Sequence, residues 1–330
     1  MAVQHTFLGP VFIVGMPRSG TKLMRTLLNQ HPHISITLAE SHFIPYFIKA
    51  FGNPPPFHTE ADFHRFIEKF SHTTFCRGMR RAGYQFHTQE FLATVDRYSW
   101  ASIFEQLFRH FSAKPDRQDV IWGDKTPGYV KHMPLLQQLY PQAKFLHMIR
   151  DPRDYCLSVQ ASWGKSLYRA AHRWKETIET ARHVGKQLGD NYLEVLYEDL
   201  LSDPEKVMHT IADFLGCPYH ASMVTLGKSP EDFGETKGQY GIVRDNAHKY
   251  HNRLSIQQIR RIEEIVCPVA VPLQYDMDND VRHKPLRALP LAGYKLYDGI
   301  IALRHHILME HHMLPGVQRL VNHYTKSSWR

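Results

Sequence analysis

Cysteine is scarce in this chain of 330 residues, and the four present, Cys76, Cys156, Cys217 and Cys267, lie far apart with no C-x-x-C pair. That spacing excludes a disulfide-dense framework and the common zinc-ligand patterns, and it leaves free, buried thiols as the expectation. No run approaches the roughly 18 apolar residues of a membrane helix, so no span is expected. The first strand-like segment begins within ten residues of the start, with no charged stretch leading into an apolar one. A signal peptide is therefore not expected, and a cytoplasmic location is. The 23 histidines form no H-E-x-x-H or related pattern, so scattered surface histidine is expected rather than a metal site. Internal repeats and low-complexity tracts are missing as well.

What remains is an ordinary globular composition, 43% hydrophobic and 22% charged, enough for one large α/β domain or two small ones, of which one domain with an appended C-terminal segment is expected. The net charge is +8, and the last fifty residues supply +6 of it with eight Lys/Arg against two acids. Such a balance suits an anionic small ligand, but equally nucleic acid or anionic lipid.

The most informative stretch runs from Pro10 to His31. Val11, Phe12, Ile13 and Val14 form a short apolar run fit for a buried parallel strand, which stops at Gly15. The loop Gly15-Met16-Pro17-Arg18-Ser19-Gly20-Thr21-Lys22 follows, and Leu23, Met24, Leu27 and Leu28 mark one face of a helix. Strand, glycine-bounded loop and helix in that order aim several backbone N–H groups and the positive end of a helix dipole at one point. Arg18 and Lys22 add charge, and Ser19 and Thr21 add hydroxyls, so a phosphate or sulfate is the fitting guest. The alternative is a tight turn with basic residues in solvent. The G-x-x-x-x-G spacing matches a Walker A loop, but the Lys-Ser/Thr order is inverted to Thr21-Lys22. That inversion turns the lysine about 100° around the helix and weakens an ATPase, GTPase or kinase reading.

The string PRSGTKLMRTLLNQHP resembles the 5′-phosphosulfate loop of sulfotransferases that use 3′-phosphoadenosine 5′-phosphosulfate (PAPS), especially the tyrosylprotein sulfotransferases and the bacterial enzymes grouped with them. The resemblance implies that Pro17, Arg18, Ser19, Gly20, Thr21 and Lys22 hold the 5′ end of the donor. Residues 34–37 alternate as a second strand. After them Glu40 falls, with one extra residue allowed, on the family's catalytic glutamate between H-P and I-P flanks, here His31-Pro32 and Ile44-Pro45. Glu40 is thus implied as general base; a salt-bridge partner of Arg18 or Lys22 is the other reading. Beyond a strand over 120–123, G-D-K-T-P is similar to the lysine-bearing strand end of the family, which gives Lys125 the contact to the transferring sulfuryl group or the bridging oxygen. Small-molecule sulfotransferases follow this lysine with a catalytic histidine in K-T-H. Thr126-Pro127 departs from that pattern and shifts the base to Glu40. A strand over 144–149 runs into R-D-P-R, Arg150 to Arg153, with Ser158 eight residues after Arg150, which is the family's 3′-phosphate spacing. Arginine offers a bidentate grip on phosphate, and a hydroxyl two helical turns on completes it. Tyr197, closing a strand over 192–197, is implied beneath the adenine. Lys249, before Tyr250 in a polar stretch over 228–253, is implied on a late loop that folds over the cofactor; a flexible basic surface loop is the alternative.

Elsewhere, Phe63, Phe66, Ile67 and Phe70 are helical in period, and one helix is expected from Glu90 to Phe111. The dense aromatics of this region serve core packing first and an acceptor lining second. Further helices are expected over 164–188, from Asp203-Pro204 to Gly216, and after Ser255 with Ile256, Ile259, Ile262 and Ile265 on one side. An amphipathic helix is expected to carry Leu291, Tyr294, Leu296, Ile300, Ile301, Leu303, Ile307 and Leu308 and to pack on the core, with dimerisation or contact with anionic lipid as the alternatives.

The expected whole is α/β, a P-loop-type parallel β-sheet flanked by helices, with one domain over 1–280 and a basic helical C-terminal extension over 281–330. The resemblance implies sulfuryl transfer from PAPS to an acceptor hydroxyl, with adenosine 3′,5′-bisphosphate as product and protein cations in place of a metal. The acceptor is left among peptide tyrosine, carbohydrate, lipid and small metabolite, no nucleic-acid partner is expected, and homodimerisation stays open. The rival readings are a P-loop kinase or NTPase, and a non-enzymatic basic protein that binds nucleic acid or anionic lipid.

Overall fold

The computed structural model describes residues 7–114, 119–227, 229–230 and 236–310; parts of the polar stretch over 228–253 and of the C-terminal extension lie outside the described residues. These residues form two compact units, one of 7–150, 180–230 and 236–244, the other of 151–179 and 245–310.

The first unit is built on five strands: β1 (Val11–Gly15), β2 (Ile34–Ile36), β3 (Ile121–Lys125), β4 (Lys144–Ile149) and β5 (Tyr192–Leu196). Every pairing is parallel, and the order across the sheet is β2-β3-β1-β4-β5. The apolar runs of β1, β2 and β3 are buried throughout, as strands covered on both faces must be. Because the chain crosses from one side of β1 to the other between β3 and β4, the switch point of the sheet lies at the carboxyl end of β1.

The intervening helices are α1 (Thr21–Leu28), α2 (Phe43–Phe51), α3 (Glu60–Ser71), α4 (Thr74–Arg81), α5 (Thr88–Thr94), α6 (Trp100–His110) and α7 (Met133–Leu139). The periodic set Phe63, Phe66, Ile67 and Phe70 is the buried face of α3, whose start is fixed by a capping box between Thr59 and Asp62. From α2 to α6 the packing is dominated by phenylalanine rings, such as Phe43 against Phe75 edge-on at 5.3 Å. Each such pair adds about 0.5–1.5 kcal/mol beyond the area it buries. The helix expected from Glu90 to Phe111 is two helices, α5 and α6. Val95 is extended where α5 ends, the Asp96 side chain accepts from the Tyr98 N–H, and Ser99 caps α6 by accepting from the Ser102 N–H. These local side-chain bonds compete with the helical ladder and break it.

Histidine is not confined to the surface. His147 is fully buried in β4 with Nδ1 2.5 Å from the Tyr192 hydroxyl, and His31 is buried with Nε2 3.0 Å from the Pro218 carbonyl. Burial pushes His147 down to about 3 and His31 down to about 4, so both are neutral.

In the second unit, α8 (Pro152–Trp163) is capped by Asp151, and α9 (Leu167–Leu188) starts there and ends in the first unit. The first unit closes with α10 (Tyr197–Ser202) and α11 (Pro204–Leu215), the latter ended by Gly216 in the left-handed conformation as its sequence predicts. The second unit continues through α12 (Tyr250–Arg253), α13 (Ile256–Ala270) and α14 (Ala288–Glu310). The expected isoleucine row of α13 is buried at Ile262 and Ile265 but exposed at Ile256. A strict three-residue spacing slips about 60° backward around a helix at each step, so four such residues cannot share one face. All four cysteines are free and buried. No helix among the described residues is long and apolar enough to cross a membrane.

Candidate active site

In an open parallel sheet, ligands settle beyond the carboxyl ends of the strands. Here each of the five strand ends carries a residue singled out by its motif. The Arg18 loop follows β1, Glu40 follows β2, Lys125 ends β3, Arg150 follows β4 and Tyr197 follows β5.

The turn after β1 is tight. The Ser19 N–H donates to the Met16 carbonyl at 3.2 Å, Arg18 is left-handed at φ 73°, and Gly20 at φ 81° begins α1. A Cβ on Gly20 would come 2.2 Å from the Tyr197 ring, so glycine is required by backbone conformation and by space. The first turn of α1 has no acidic residue and no side-chain cap. Ser19 Oγ is buried and meets no hydrogen-bond partner among the described residues. An orphaned hydroxyl at the positive end of a helix, between Arg18 and Lys22, fits the oxygens of a phosphate or sulfate. Thr21 is buried at the head of the same helix.

Arg150 joins this turn to Tyr197. Its Nη1 donates to the Arg18 carbonyl at 3.2 Å, and its guanidinium lies 4.8 Å over the Tyr197 ring. The two arginines on which the two-ended phosphate reading depends are therefore neighbours on one edge of the sheet.

Glu40 is paired on both oxygens. Oε1 accepts from Lys125 Nζ at 2.5 Å, and Oε2 is 2.8 Å from His42 Nε2. Burial would raise its pKa, but the His42 hydrogen bond and the Lys125 charge outweigh that and hold the carboxyl at about 2. Burial in turn draws Lys125 below the usual lysine range, against the pull of Glu40.

Three supports of this pair carried no role in the sequence reading. Arg25, buried on α1, reaches the Leu38 carbonyl with Nη1 at 2.5 Å. Asp124, fully buried beside Lys125, accepts from Thr37 Oγ1 at 3.2 Å and Ser41 Oγ at 3.1 Å, and burial raises it to about 6. Thr126 Oγ1 accepts from the Ser41 N–H at 2.9 Å. Together they fasten the turn after β2 to the end of β3 and so bring Glu40 to Lys125. The available signal was the acid of G-D-K-T-P, since an aspartate inside a buried strand needs a polar partner.

Ser158 and Lys249 belong to the second unit, Ser158 midway along α8 and Lys249 at the cap of α12. Beside Lys249, the Tyr250 N–H donates to Asp154 Oδ1 at 2.9 Å and the Tyr250 ring lies 4.1 Å from the Arg153 guanidinium. Arg153 also pairs with Asp151 and Glu263, each at 2.7 Å. The second arginine of R-D-P-R is therefore engaged within its own unit.

With this geometry in view, comparison with known proteins is specific. The Sulfotransferase family model matches residues 10–221. Protein-tyrosine sulfotransferase 1 of Danio rerio is 28% identical over 221 residues, which cover 65% of this chain and 55% of that one. Protein-tyrosine sulfotransferase of Drosophila melanogaster is 27% identical over 222 residues, 65% of this chain and 39% of its own. The chain thus spans about half the length, or less, of these curated relatives. Among solved structures, the sulfotransferase domain from the Synechococcus PCC 7002 olefin synthase aligns with a TM-score of 0.53 at 23% identity, covering 84% of this chain and 99% of that domain, a likeness of fold.

Proposed function

The chain belongs to the sulfotransferase family, and we propose on that footing that it moves a sulfuryl group in line from PAPS to the hydroxyl of an acceptor. The donor supplies the sulfuryl group on a good leaving group, adenosine 3′,5′-bisphosphate. Arg18, Lys22, the Ser19 hydroxyl and the loop amides hold its 5′ end, with Pro17, Gly20 and Thr21 shaping the turn. Arg150 holds the 3′-phosphate and Tyr197 faces the adenine. Ser158 and Lys249 enter this reading through their motifs alone. Lys125 offsets negative charge on the bridging oxygen.

Glu40 Oε1 takes the acceptor's proton. Its low pKa keeps it ionised at every physiological pH, so the base is always ready. Its proton affinity is governed by Lys125 and His42, and it rises as the Lys125 charge is spent on the bridging oxygen rather than on the carboxylate. The names of the curated relatives favour a peptide tyrosine as acceptor.

The observation that supports the reading is the bond from Arg150 to the Arg18 carbonyl, because it sets the Arg150 guanidinium against the first loop, the proximity that one nucleotide gripped at both ends requires. Calorimetric titration with adenosine 3′,5′-bisphosphate tests it. Binding without added magnesium, weakened in both Arg18→Ala and Arg150→Ala, is expected. Binding of ADP with magnesium in preference to adenosine 3′,5′-bisphosphate would overturn it. Transfer of radiolabelled sulfate from PAPS to a tyrosine peptide then separates that acceptor from carbohydrate, lipid and small-metabolite hydroxyls.

A further inference from the structure

The helix α14 is apolar on two opposite sides. One side is docked within the second unit, where buried Asp298 accepts from the Ser166 N–H at 2.8 Å and pairs with Arg169 at 2.7 Å, and Tyr294 packs its ring 5.7 Å from that of Tyr168. The other side faces out. Leu289, Leu296, Ile300 and Leu303 are 86%, 68%, 56% and 61% exposed. At about 100° per residue these four fall in a stripe about 60° wide, with Arg304 on one flank and Lys295 on the other. Ala292 and Gly293 fill the gaps, so no polar side chain interrupts the stripe. Single exposed leucines need no explanation, but four aligned on one docked helix do.

We propose that this face is a peripheral membrane-binding surface that lies flat on an anionic lipid bilayer, the four apolar side chains entering the headgroup boundary and Lys295 and Arg304 meeting lipid phosphates. An apolar stripe between two cations is the build of an interfacial helix. The sequence that carries the helix is one-sided in charge, with eight Lys/Arg against two acids in residues 281–330. One of those two acids, Asp298, is turned inward and consumed by Arg169, so it does not neutralise the outer face. The same charge argues against a second copy as occupant, since two such faces would set Lys295 and Arg304 against like cations, and Asp298, the carboxylate of 288–304, is buried against Arg169. The face is independent of the proposed sulfuryl transfer.

Co-sedimentation of the full chain with vesicles of phosphatidylcholine, alone or mixed with phosphatidylglycerol, tests this. Binding to the mixed vesicles only, weakened by salt, is expected. Leu296→Ser with Ile300→Ser abolishes it, and Lys295→Gln with Arg304→Gln lowers the partition roughly 25-fold, at about fivefold per cation near an anionic surface. Both double variants melt like the parent, because the side chains they change are exposed. No sedimentation with the mixed vesicles, or undiminished sedimentation of the Leu296→Ser/Ile300→Ser variant, overturns the proposal. So does a dimer in analytical ultracentrifugation that the same variant dissolves while lipid binding is absent, which would assign the face to a second copy.

Discussion

The turn after β1 and the turn after β2 reach the same edge of the sheet, yet they are held there by different means. The first is closed by its own backbone bonds and packed against β4 and Tyr197. Gly15 at φ 146° has no room for a Cβ, which would approach the Met148 carbonyl to 2.5 Å, and Gly20 is equally constrained against Tyr197. The bonds that close this turn run between residues of the motif itself, Ser19 to Met16 and Met24 to Gly20. The second turn is held from outside. Arg25 grips Leu38, Asp124 gathers Thr37 and Ser41, and Lys125 takes Glu40, so the fastenings come from α1 and from β3, both outside the turn. The turn after β1 is therefore closed locally, and the Glu40–Lys125 pair is a tertiary contact. Damage to the two should read out differently, the first in nucleotide affinity and the second in turnover.

The sharpest way to break that division is Glu40→Gln. Turnover is expected to fall by roughly 10²–10⁴ while calorimetry finds adenosine 3′,5′-bisphosphate binding close to that of the parent. A variant that keeps full turnover would remove Glu40 as the base. Next comes Arg150→Ala, expected to weaken the same ligand by about 10–100-fold, the worth of charge-assisted hydrogen bonds to a phosphate. If affinity were unchanged, the grip would not extend beyond the first loop.

Asp124→Ala is a smaller perturbation aimed at the fastening alone. Thr37 and Ser41 lose a buried acceptor, which costs about 1–3 kcal/mol in denaturant unfolding, and kcat falls with nucleotide affinity retained. Loss of affinity and turnover in equal measure would erase the distinction between the turns.

Two pH effects sharpen the contrast further. The Glu40 carboxyl is held at about 2 against an ordinary value of 4.5, so the stability it contributes is full above pH 4.5 and is lost as pH falls through 2. Unfolding curves of Glu40→Gln should lack that acid slope. The smallest effect belongs to His31, whose Nδ1 accepts from the His33 N–H and which is held at about 4 against 6.5. Its neutral form stabilises the fold above pH 6.5, and that contribution drains away as pH falls through 4. His31→Asn should flatten the slope in this window, while His147, held at about 3, keeps part of it.

Much of the architecture was legible in advance because its signals are local. Five short apolar runs became five parallel strands, and Asp203-Pro204 with Gly216 bounded α11 as their caps require. The misreadings have separate causes. The break between α5 and α6 turns on side chains that bond their own backbone, and the exposed Ile256 turns on how far a three-residue row drifts around a helix. The burial of His31 and His147 depends on partners 187 and 45 residues away in sequence.

By itself the chain determined the strand-loop-helix turn after β1, the five strand ends and the residues that stand on them, because glycine, hydroxyl and cation placement act through bonds a few residues long. Only the tertiary structure decided that Arg150 touches the Arg18 carbonyl, that Glu40 is paired with Lys125 and His42, and that Asp124 and Arg25 hold it there. Those contacts join segments separated by up to 132 residues, and the sheet register that brings them together is set by burial of the whole core rather than by any one stretch.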